Sequence, residues 1–243
     1  MTISPETLAR LAAIDTSTVC NVIELFAVRP QNQGYMDHRI RSAFPELPPM
    51  VGFAATVSFR ADAPADASAG YSGVDRQIAR LAELPRPSVI VIQDLDDPPV
   101  GASFGEVTCS SYRAFGSVGL VASGAGRDLA QVRPMRFPAF LGSTVIAHGY
   151  PNLMYLGHPV RVGGLTVHEG DLLHGDADGV TSIPLDIAAD VADAAADFVA
   201  AERIVIDYAQ ETPDPTVAGY REAWAAFRAA VDDLSRRVRA RSG

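Results

Sequence analysis

Short apolar runs alternate with amphipathic segments through the middle of the chain, and this alternation constrains the fold more than any other feature. The runs are Val89–Ile92, Val118–Ala122 and Thr144–Ala147. Such runs are typical of strands that are covered on both faces. Helices are expected between them, over about 106–115 and after Arg127, because Gly116 and Pro134 mark helix ends. The pattern predicts an α/β core with layered helices.

Periodicity predicts further elements on the N-terminal side of this core. Ser4-Pro5 indicates the start of a first helix, and a second helix is expected from about Ser17. Residues 29–50 are rich in proline and polar side chains and are predicted to be loop. The alternation over Phe53–Phe59 predicts a half-buried strand, and a helix is expected around Val74–Leu81.

The C-terminal segment carries one apolar stripe at spacings of three and four residues. Its members are Val217, Tyr220, Trp224, Phe227, Val231, Leu234 and Val238. A stripe of this kind predicts a helix that packs on its own domain or on a neighbouring subunit. We expect an α/β domain over residues 1–210 and an amphipathic helical extension over residues 211–243.

Lysine is absent: all 20 basic residues are arginine. Schiff-base aldolases and pyridoxal-phosphate enzymes need a lysine amine, and the Walker-type phosphate loop needs its lysine as well. These classes are excluded. Any carbanion chemistry in this chain must therefore depend on a metal ion or on arginine.

Charge and cysteine content exclude other classes. The formal net charge of −9 opposes nucleic-acid binding, which depends on neutralising phosphates. The basic cluster at residues 236–241 is interpreted as the cationic end of a helix. No apolar run is long enough to cross a membrane, so we expect a cytoplasmic protein without a membrane partner. Cys20 and Cys109 cannot form a disulfide framework and are expected to be buried thiols.

Two glycine-containing turns are candidates for chemistry. The first, Gly101–Glu106, opens a helix, so its free backbone amides could bind an anion, although glycine in such a turn often serves the backbone alone. The second, Ser123–Asp128, lacks the third glycine of a dinucleotide fingerprint because Leu129 stands there. It offers instead a guanidinium beside a hard oxygen ligand, which suits a metal-bound 2-oxo acid. A structural Arg/Asp cap would explain the same dipeptide.

Taken together, the two turns and several other segments resemble the RraA-like aldolase family. In both, an acidic residue is separated from an Arg-Asp pair by twenty residues, here Glu106 from Arg127-Asp128. The other matching segments are Thr18-Val-Cys-Asn21, Gly52-Phe-Ala-Ala-Thr56-Val, Val89-Ile-Val-Ile92, Phe137-Pro138-Ala-Phe140, Glu169-Gly-Asp171 and Asp176-Ala-Asp178-Gly179-Val180. The resemblance covers roughly residues 16–205.

The resemblance implies a swivelling α/β/α sandwich, here with an extra C-terminal helix, and a homotrimer or hexamer whose sites lie between subunits. The family includes 4-hydroxy-4-methyl-2-oxoglutarate and 4-carboxy-4-hydroxy-2-oxoadipate aldolases, which also decarboxylate oxaloacetate. It also includes a non-catalytic inhibitor of ribonuclease E. The expected activity is thus a lyase acting on a small 2-oxo acid, and the alternative is a protein-binding regulator. A demethylmenaquinone methyltransferase has no supporting nucleoside-binding segment.

Residue roles follow from the resemblance by position. Asp128 would ligate Mg²⁺ or Mn²⁺, Glu106 would hold water bound to that ion, and Arg127 would bind the pyruvyl oxygens. The backbone amides that would bind the substrate carboxylate are those of Gly105, Glu106, Val107 and Thr108. Well-described aldolases carry Asp where this chain has Glu106, so the substrate range is open. Glu202 is a weak match to a glutamate that reaches the neighbouring subunit's site. The five histidines are expected at the surface or in loops, without a catalytic role.

Overall fold

The computed structural model of the chain describes residues 3–64 and 73–242. Its helices are α1 (Pro5–Leu11), α2 (Thr16–Phe26), α3 (Val74–Leu81), α4 (Glu106–Ala114), α5 (Leu129–Val132), α6 (Ala188–Glu211) and α7 (Val217–Ser242). Its strands are β1 (Arg41–Ser42), β2 (Met50–Arg60), β3 (Ser88–Asp94), β4 (Ala102–Phe104), β5 (Ser117–Gly126), β6 (Ala139–Thr144), β7 (Asn152–Met154), β8 (Val160–Val162), β9 (Leu165–Val167), β10 (Leu172–Asp176) and β11 (Gly179–Ile183). The predicted mixed α/β class is confirmed.

Contacts divide the chain into two compact units. One is Asn32–Pro184, and the other is Met1–Gln31 together with Leu185–Gly243. The first contains every strand and the helices α3 to α5. The second contains α1, α2, α6 and α7. The domain boundary that the sequence predicts at residue 210 stays a prediction.

The strand unit is built on a nine-stranded mixed sheet with the order β1-β6-β5-β3-β2-β10-β11. The four adjacent strands β2, β3, β5 and β6 are parallel to one another, whereas β1 and β10 pair antiparallel with β6 and β2. Strand β4 adds to β5 in parallel beyond the end of β3, and β7 adds to β2. Helices α3, α4 and α5 connect the parallel strands, so the carboxyl ends of β3 and β5 meet at one edge of the sheet. Ligands commonly bind at this edge in such sheets.

Each face of the sheet has its own apolar core. The first core includes Ile90, Ile92, Leu120 and Ala122 and packs against residues of α3, α4 and α5. The second core includes their neighbours Val89, Val91 and Val121 and packs against the β8–β9 hairpin and the segment around Met36 and Ile40. Alternate residues of one strand point to opposite faces, so the side chains that follow β3 and β5 also divide between the two faces.

Three sequence predictions need correction. Strand β2 is buried on both faces from residue 50 to 59, not half-buried, because an apolar core covers each face of the sheet at this strand. The buried strand predicted over Thr144–Ala147 lies earlier in the chain: β6 ends at Thr144, and Ile146 is 94% exposed. Strand β5 continues to Gly126, so the predicted turn from Ser123 is strand for its first four residues.

The helical unit confirms the predicted helices at both ends of the chain. Ser4 and Asp15 cap α1 and α2, each accepting a hydrogen bond from a backbone amide. The stripe of α7 is buried at Leu234 and Val238, whereas Val217 at its start is 68% exposed. The C-terminal arginines pair within the unit: Arg237 and Arg241 with acids of α6, and Arg239 with the carbonyl oxygen of Leu25. No described helix is long and apolar enough to cross a membrane.

Candidate functional site

The segments that follow β4 and β5 are held together at the carboxyl edge of the sheet. The backbone amide of Arg127 donates to the carbonyl oxygen of Phe104 at 3.1 Å. This hydrogen bond places the start of α4 beside the Arg127-Asp128 dipeptide. The two turns that the sequence singled out are therefore neighbours in space.

Gly124 and Gly126 serve packing rather than a phosphate loop. Both lie inside β5. A Cβ atom on Gly124 would lie 2.0 Å from a carboxylate oxygen of Asp94, and one on Gly126 would lie 2.2 Å from the ring of Phe104. Neither distance leaves room for a side chain. Glycine at these positions lets Asp94 and Phe104 pack directly on the strand.

Asp128 has an uncommon backbone conformation. Its φ of 58° and ψ of 31° are left-handed, a region that non-glycine residues seldom adopt and that Asp tolerates better than most. It precedes α5, but its side chain makes no capping hydrogen bond to that helix. The structure therefore excludes Asp128 as a side-chain cap of α5. The carboxylate turns instead toward the start of α4.

The Asp128 carboxylate meets the first residues of α4 closely. Its Oδ2 atom accepts a hydrogen bond from the amide of Glu106 at 3.1 Å and lies 3.5 Å from Nε of Arg127. Gly105 makes this approach possible, because a Cβ there would lie 2.5 Å from the same oxygen. The amide of Gly105 donates to the hydroxyl of Thr108 at 2.9 Å. Two of the four amides proposed for an anion are thus already occupied, by Asp128 and Thr108.

These groups line one cleft in the strand unit. The cleft encloses about 490 Å³ of empty space, open solvent at its mouth included, of which about 40 Å³ is available to the centre of a water molecule. Its polar wall contains Gly105, Thr108, Arg127, Asp128 and His148. Its apolar wall contains Phe59, Val74, Phe104, Pro151 and Leu153. A space of this size suits a ligand of a few heavy atoms rather than a dinucleotide.

Two buried side chains of α4 at the cleft, Cys109 and Tyr112, have raised pKa values. Burial raises the pKa of the Cys109 thiol to about 12, with a further contribution from the charge of Asp128. Burial also raises the pKa of Tyr112, whose hydroxyl is buried and has no hydrogen-bond partner. A thiol that stays protonated is a poor nucleophile, so a covalent cysteine mechanism is disfavoured. Among the described residues of the cleft wall, the acidic side chain is that of Asp128 and the guanidinium is that of Arg127.

The remaining predicted residues lie around this centre or in the other unit. Val107 lines the cleft and is 78% exposed. Glu106 has an exposed side chain and contributes its amide to Asp128. Glu202 lies on α6 in the helical unit, where burial and the charge of Asp15 raise its pKa and a hydrogen bond with Asn21 lowers it. An amide at position 21 suits this carboxylate, which an aspartate there would repel.

Sequence reasoning missed two residues of the cleft wall and misplaced one histidine. His148 lines the cleft, and its Nδ1 atom lies 2.7 Å from the carbonyl oxygen of Gly149. Tyr112, which also lines the cleft, falls on the inward face of α4, a position that its apolar periodicity could have indicated. His174 lies on β10 and is fully buried, not at the surface. Of the two cysteines, Cys109 is buried as predicted and Cys20 is only half-buried.

The fold and the site place this chain among mixed α/β proteins that carry an Arg-Asp pair at the start of a helix. Comparison of the chain with known proteins identifies its family. The model of RraA-like proteins, described as Aldolase/RraA, matches residues 16–181. This chain belongs to the RraA-like family. A relative from Halalkalibacterium halodurans, named provisionally as a 4-hydroxy-4-methyl-2-oxoglutarate aldolase, is 32% identical over 99 residues. That match covers 40% of this chain and 47% of the relative, so it spans about half the relative's length.

Solved structures confirm the fold. An uncharacterized protein from Pseudomonas syringae superposes with a TM-score of 0.72 at 22% identity, covering 93% of this chain and 95% of that one. Streptomyces coelicolor RraAS2, described as an unusual member of the RNase ES inhibitor RraA protein family, gives 0.65 at 22% identity over 82% of this chain and 96% of its own. The predicted RraA-like architecture is therefore confirmed.

Proposed function

We propose that this chain is a divalent-metal-dependent lyase that cleaves a 4-hydroxy-2-oxo acid to pyruvate and a carbonyl product, with oxaloacetate decarboxylation as a side activity. The observation that carries the proposal is the meeting of Arg127, Asp128 and the first turn of α4 in one small cleft. The provisional name of the relative from Halalkalibacterium halodurans supports the same reaction class.

The donor set fits Mg²⁺ or Mn²⁺. The Asp128 side chain is 35% exposed and faces the cleft without capping its own helix. Among residues 3–64 and 73–242 no group of three or more His, Cys, Asp or Glu side chains could hold a metal ion, so a zinc or calcium cage is disfavoured. Mg²⁺ commonly binds through one or two carboxylates and keeps several waters. When bound, the cation would supply positive charge beside the 2-oxo group.

Arg127 and α4 would bind the other end of the substrate. A guanidinium can hold two oxygens of an oxo acid at once, which fixes the orientation of the molecule. The amides of Val107 and Thr108 lie in the first turn of α4, where no preceding carbonyl within the helix can accept from them. The proposal assigns the substrate carboxylate first to these two amides, since Glu106 and Gly105 already donate elsewhere.

The reaction breaks the bond between C3 and C4. The bonding electrons remain on C3, the C4 hydroxyl loses its proton as the new carbonyl forms, and C3 takes up a proton to give pyruvate. Arg127 opposes the negative charge that spreads onto the 2-oxo group in the transition state. In oxaloacetate the same bond breaks and CO₂ leaves, so one site would serve both reactions.

Two groups compete for the proton of the C4 hydroxyl. One is a water oriented by Glu106. The other is His148. Its Nδ1 atom contacts the carbonyl oxygen of Gly149, and a carbonyl oxygen only accepts hydrogen bonds, so the ring hydrogen lies on Nδ1. Nε2 is then the basic atom of the neutral imidazole. Glu106→Gln and His148→Gln separate them, because loss of the base should lower aldol cleavage while oxaloacetate decarboxylation, which removes no hydroxyl proton, falls much less.

Pyruvate formation with and without EDTA tests the proposal. Arg127→Ala and Asp128→Ala should each abolish turnover of both substrates while the far-UV circular dichroism spectrum stays unchanged. Arg113→Ala, which removes an exposed arginine at the far end of α4, is the matched control and should retain turnover. Full activity in the chelator would rule out the metal. A stoichiometric ribonuclease partner in a pull-down, without pyruvate release, would favour a non-catalytic regulator instead.

The homotrimer or hexamer that the resemblance implies is part of this proposal. Val107 at the cleft and Ile146, two positions before the cleft-lining His148, are strongly exposed apolar residues. A neighbouring subunit would cover such residues and could bring its own Glu202 to the site. Light scattering coupled to size-exclusion chromatography measures the assembly directly, and a monomeric mass for active protein would contradict this part of the proposal.

A further inference from the structure

A second cavity lies on the opposite face of the sheet from the cleft. We call it the arginine cavity; its lining residues are Arg39, Ile40, Gln93, Ser123, Arg161, Gly163 and Gly164. About 220 Å³ of it is available to the centre of a water molecule. Gln93 and Ser123 continue the side of β3 and β5 that carries the second core, whereas the cleft adjoins the first core. The two sites are therefore separated by the sheet itself.

Arg39 and Arg161, the two guanidinium groups of the arginine cavity, each have N–H donors available for a ligand. The side chain of Arg161 makes no ion pair or hydrogen bond to any residue that the structure describes. Arg39 binds Asp37 through Nε at 2.9 Å and Nη2 at 2.6 Å, which leaves its Nη1 group unused. A guanidinium carries five N–H donors, so Arg39 can hold Asp37 and an anion together. Asp37 offsets one of the two positive charges, and the arginine pair keeps a net charge of one.

The neutral side chains are fixed by contacts with the backbone and turn donors into the space. Ser123 Oγ accepts from the amide of Asp94 at 2.8 Å, so its hydroxyl hydrogen remains to be donated. The carboxamide oxygen of Gln93 accepts from the amide of Arg161 at 2.8 Å, so its NH₂ group remains available. The described lining residues include no carboxylate. Every polar side chain of this wall is thus a donor for an external ligand.

We propose that the arginine cavity is a binding site for a small oxyanion, a phosphate or carboxylate group on a molecule of several heavy atoms. Guanidinium groups bind the planar or tetrahedral oxygens of such anions through paired hydrogen bonds, and these are stronger than bonds between neutral groups. One water needs roughly 10–15 Å³ by this measure of space, so the cavity has room for much more than a bare ion. The site uses no residue of the cleft and does not depend on the lyase reaction.

Inorganic phosphate is the first probe. Ligand that binds only the folded chain raises the midpoint of thermal unfolding in a saturable way. Sodium chloride at matched ionic strength controls for general screening. The midpoint of thermal unfolding should rise with phosphate in the unaltered protein. Arg161→Ala should raise the dissociation constant for phosphate, measured by calorimetry, by about tenfold or more. Arg221→Ala, which removes an exposed arginine of α7, is the matched control and should bind phosphate as before.

Two further arms locate the site and name the anion. Arg127→Ala should keep the phosphate response, because Arg127 belongs to the cleft. Malonate in place of phosphate distinguishes a carboxylate preference from a phosphate preference. The proposal is overturned if neither anion raises the midpoint above the chloride control, if Arg161→Ala binds as tightly as the unaltered protein, or if Arg127→Ala alone abolishes binding.

Discussion

The absence of a side chain at position 105 makes the Arg127-Asp128 site possible, and Gly105→Ala tests this directly. The φ of Gly105 is −163°, an extended conformation that alanine adopts without strain. The added methyl group would nevertheless lie 2.5 Å from Asp128 Oδ2 and 3.1 Å from Cγ of Arg127. The substitution therefore acts on the position of two functional side chains and not on the backbone.

The distances give the size of the effect. Ordinary contact begins near 3.4 Å, so the Asp128 carboxylate must move by about 0.9 Å from its 2.5 Å position. A displacement of about 1 Å at a catalytic group costs roughly 10²-fold in rate. The carboxylate is the free end of a partly exposed side chain, so the fold should lose no more than about 1 kcal/mol.

A coupled assay of pyruvate from oxaloacetate measures the rate, and urea unfolding measures the stability. The control is a double-mutant cycle. In an Asp128→Ala background the methyl group meets no carboxylate and only the milder contact with Arg127 remains, so Gly105→Ala should cost less stability than in the unaltered protein. Full activity of Gly105→Ala would refute the reasoning. A loss of several kcal/mol in the single variant would show that the methyl group disrupts the fold rather than the site.

Three other substitutions test groups near the site and beyond it. Burial raises the pKa of Asp94 to about 6, above its value in an unfolded chain, so the free energy of unfolding should fall as pH rises from about 4 to 6. Asp94→Asn should remove this fall and add about 1 kcal/mol above pH 6, because solvent screens a carboxylate that is only partly buried. A variant with the same pH profile as the unaltered protein would contradict this. Tyr112→Phe should leave stability unchanged or raise it by up to about 1 kcal/mol in urea unfolding, because the buried hydroxyl has no partner to lose; a loss above 1 kcal/mol would reveal one. Arg80→Ala should cost about 1–3 kcal/mol, because Arg80 Nε binds Glu169 at 2.8 Å and the Glu169 side chain is only 13% exposed. Arg80→Ala with Glu169→Ala should cost less than the single change, and an equal cost would exclude the ion pair as its cause.

Local chemistry in the sequence was enough to predict most helices. Ser4 caps α1 at its predicted start, and Pro134 follows the last residue of α5 within two positions. Helix α2, expected from about Ser17, begins at Thr16 after its capping residue Asp15. These signals act within a few residues of the chain, so no knowledge of the fold is needed. The hairpin at Asp176–Gly179 is of the same kind: the amide of Asp178 donates to the side chain of Asp176, a local turn contact.

Strand ends and burial depended on partners that the sequence does not show. Strand β5 continues through Ser123–Gly126 because β4 and β6 pair with that stretch, although its glycines resembled a turn. Strand β2 alternates in sequence yet is buried on both faces, because the small residues of its polar-looking face lie beneath the second core. His174 is buried at a central position of β10, which pairs with β2 on one side and β11 on the other, and spacing along the chain does not show that pairing.

The chain by itself determined the residue types and spacing at the site: no lysine for a Schiff base, and Glu106, Arg127 and Asp128 each close to the end of a predicted strand or the start of a predicted helix. Only the tertiary structure decided that Asp128 faces α4 instead of capping α5, that His148 and Tyr112 line the same cleft, and that Arg39 and Arg161 share a cavity on the other face. Spacing along a chain fixes contacts within a helical turn or a hairpin. Contacts between residues tens of positions apart depend on the order and register of strands, which pairing in the folded sheet sets.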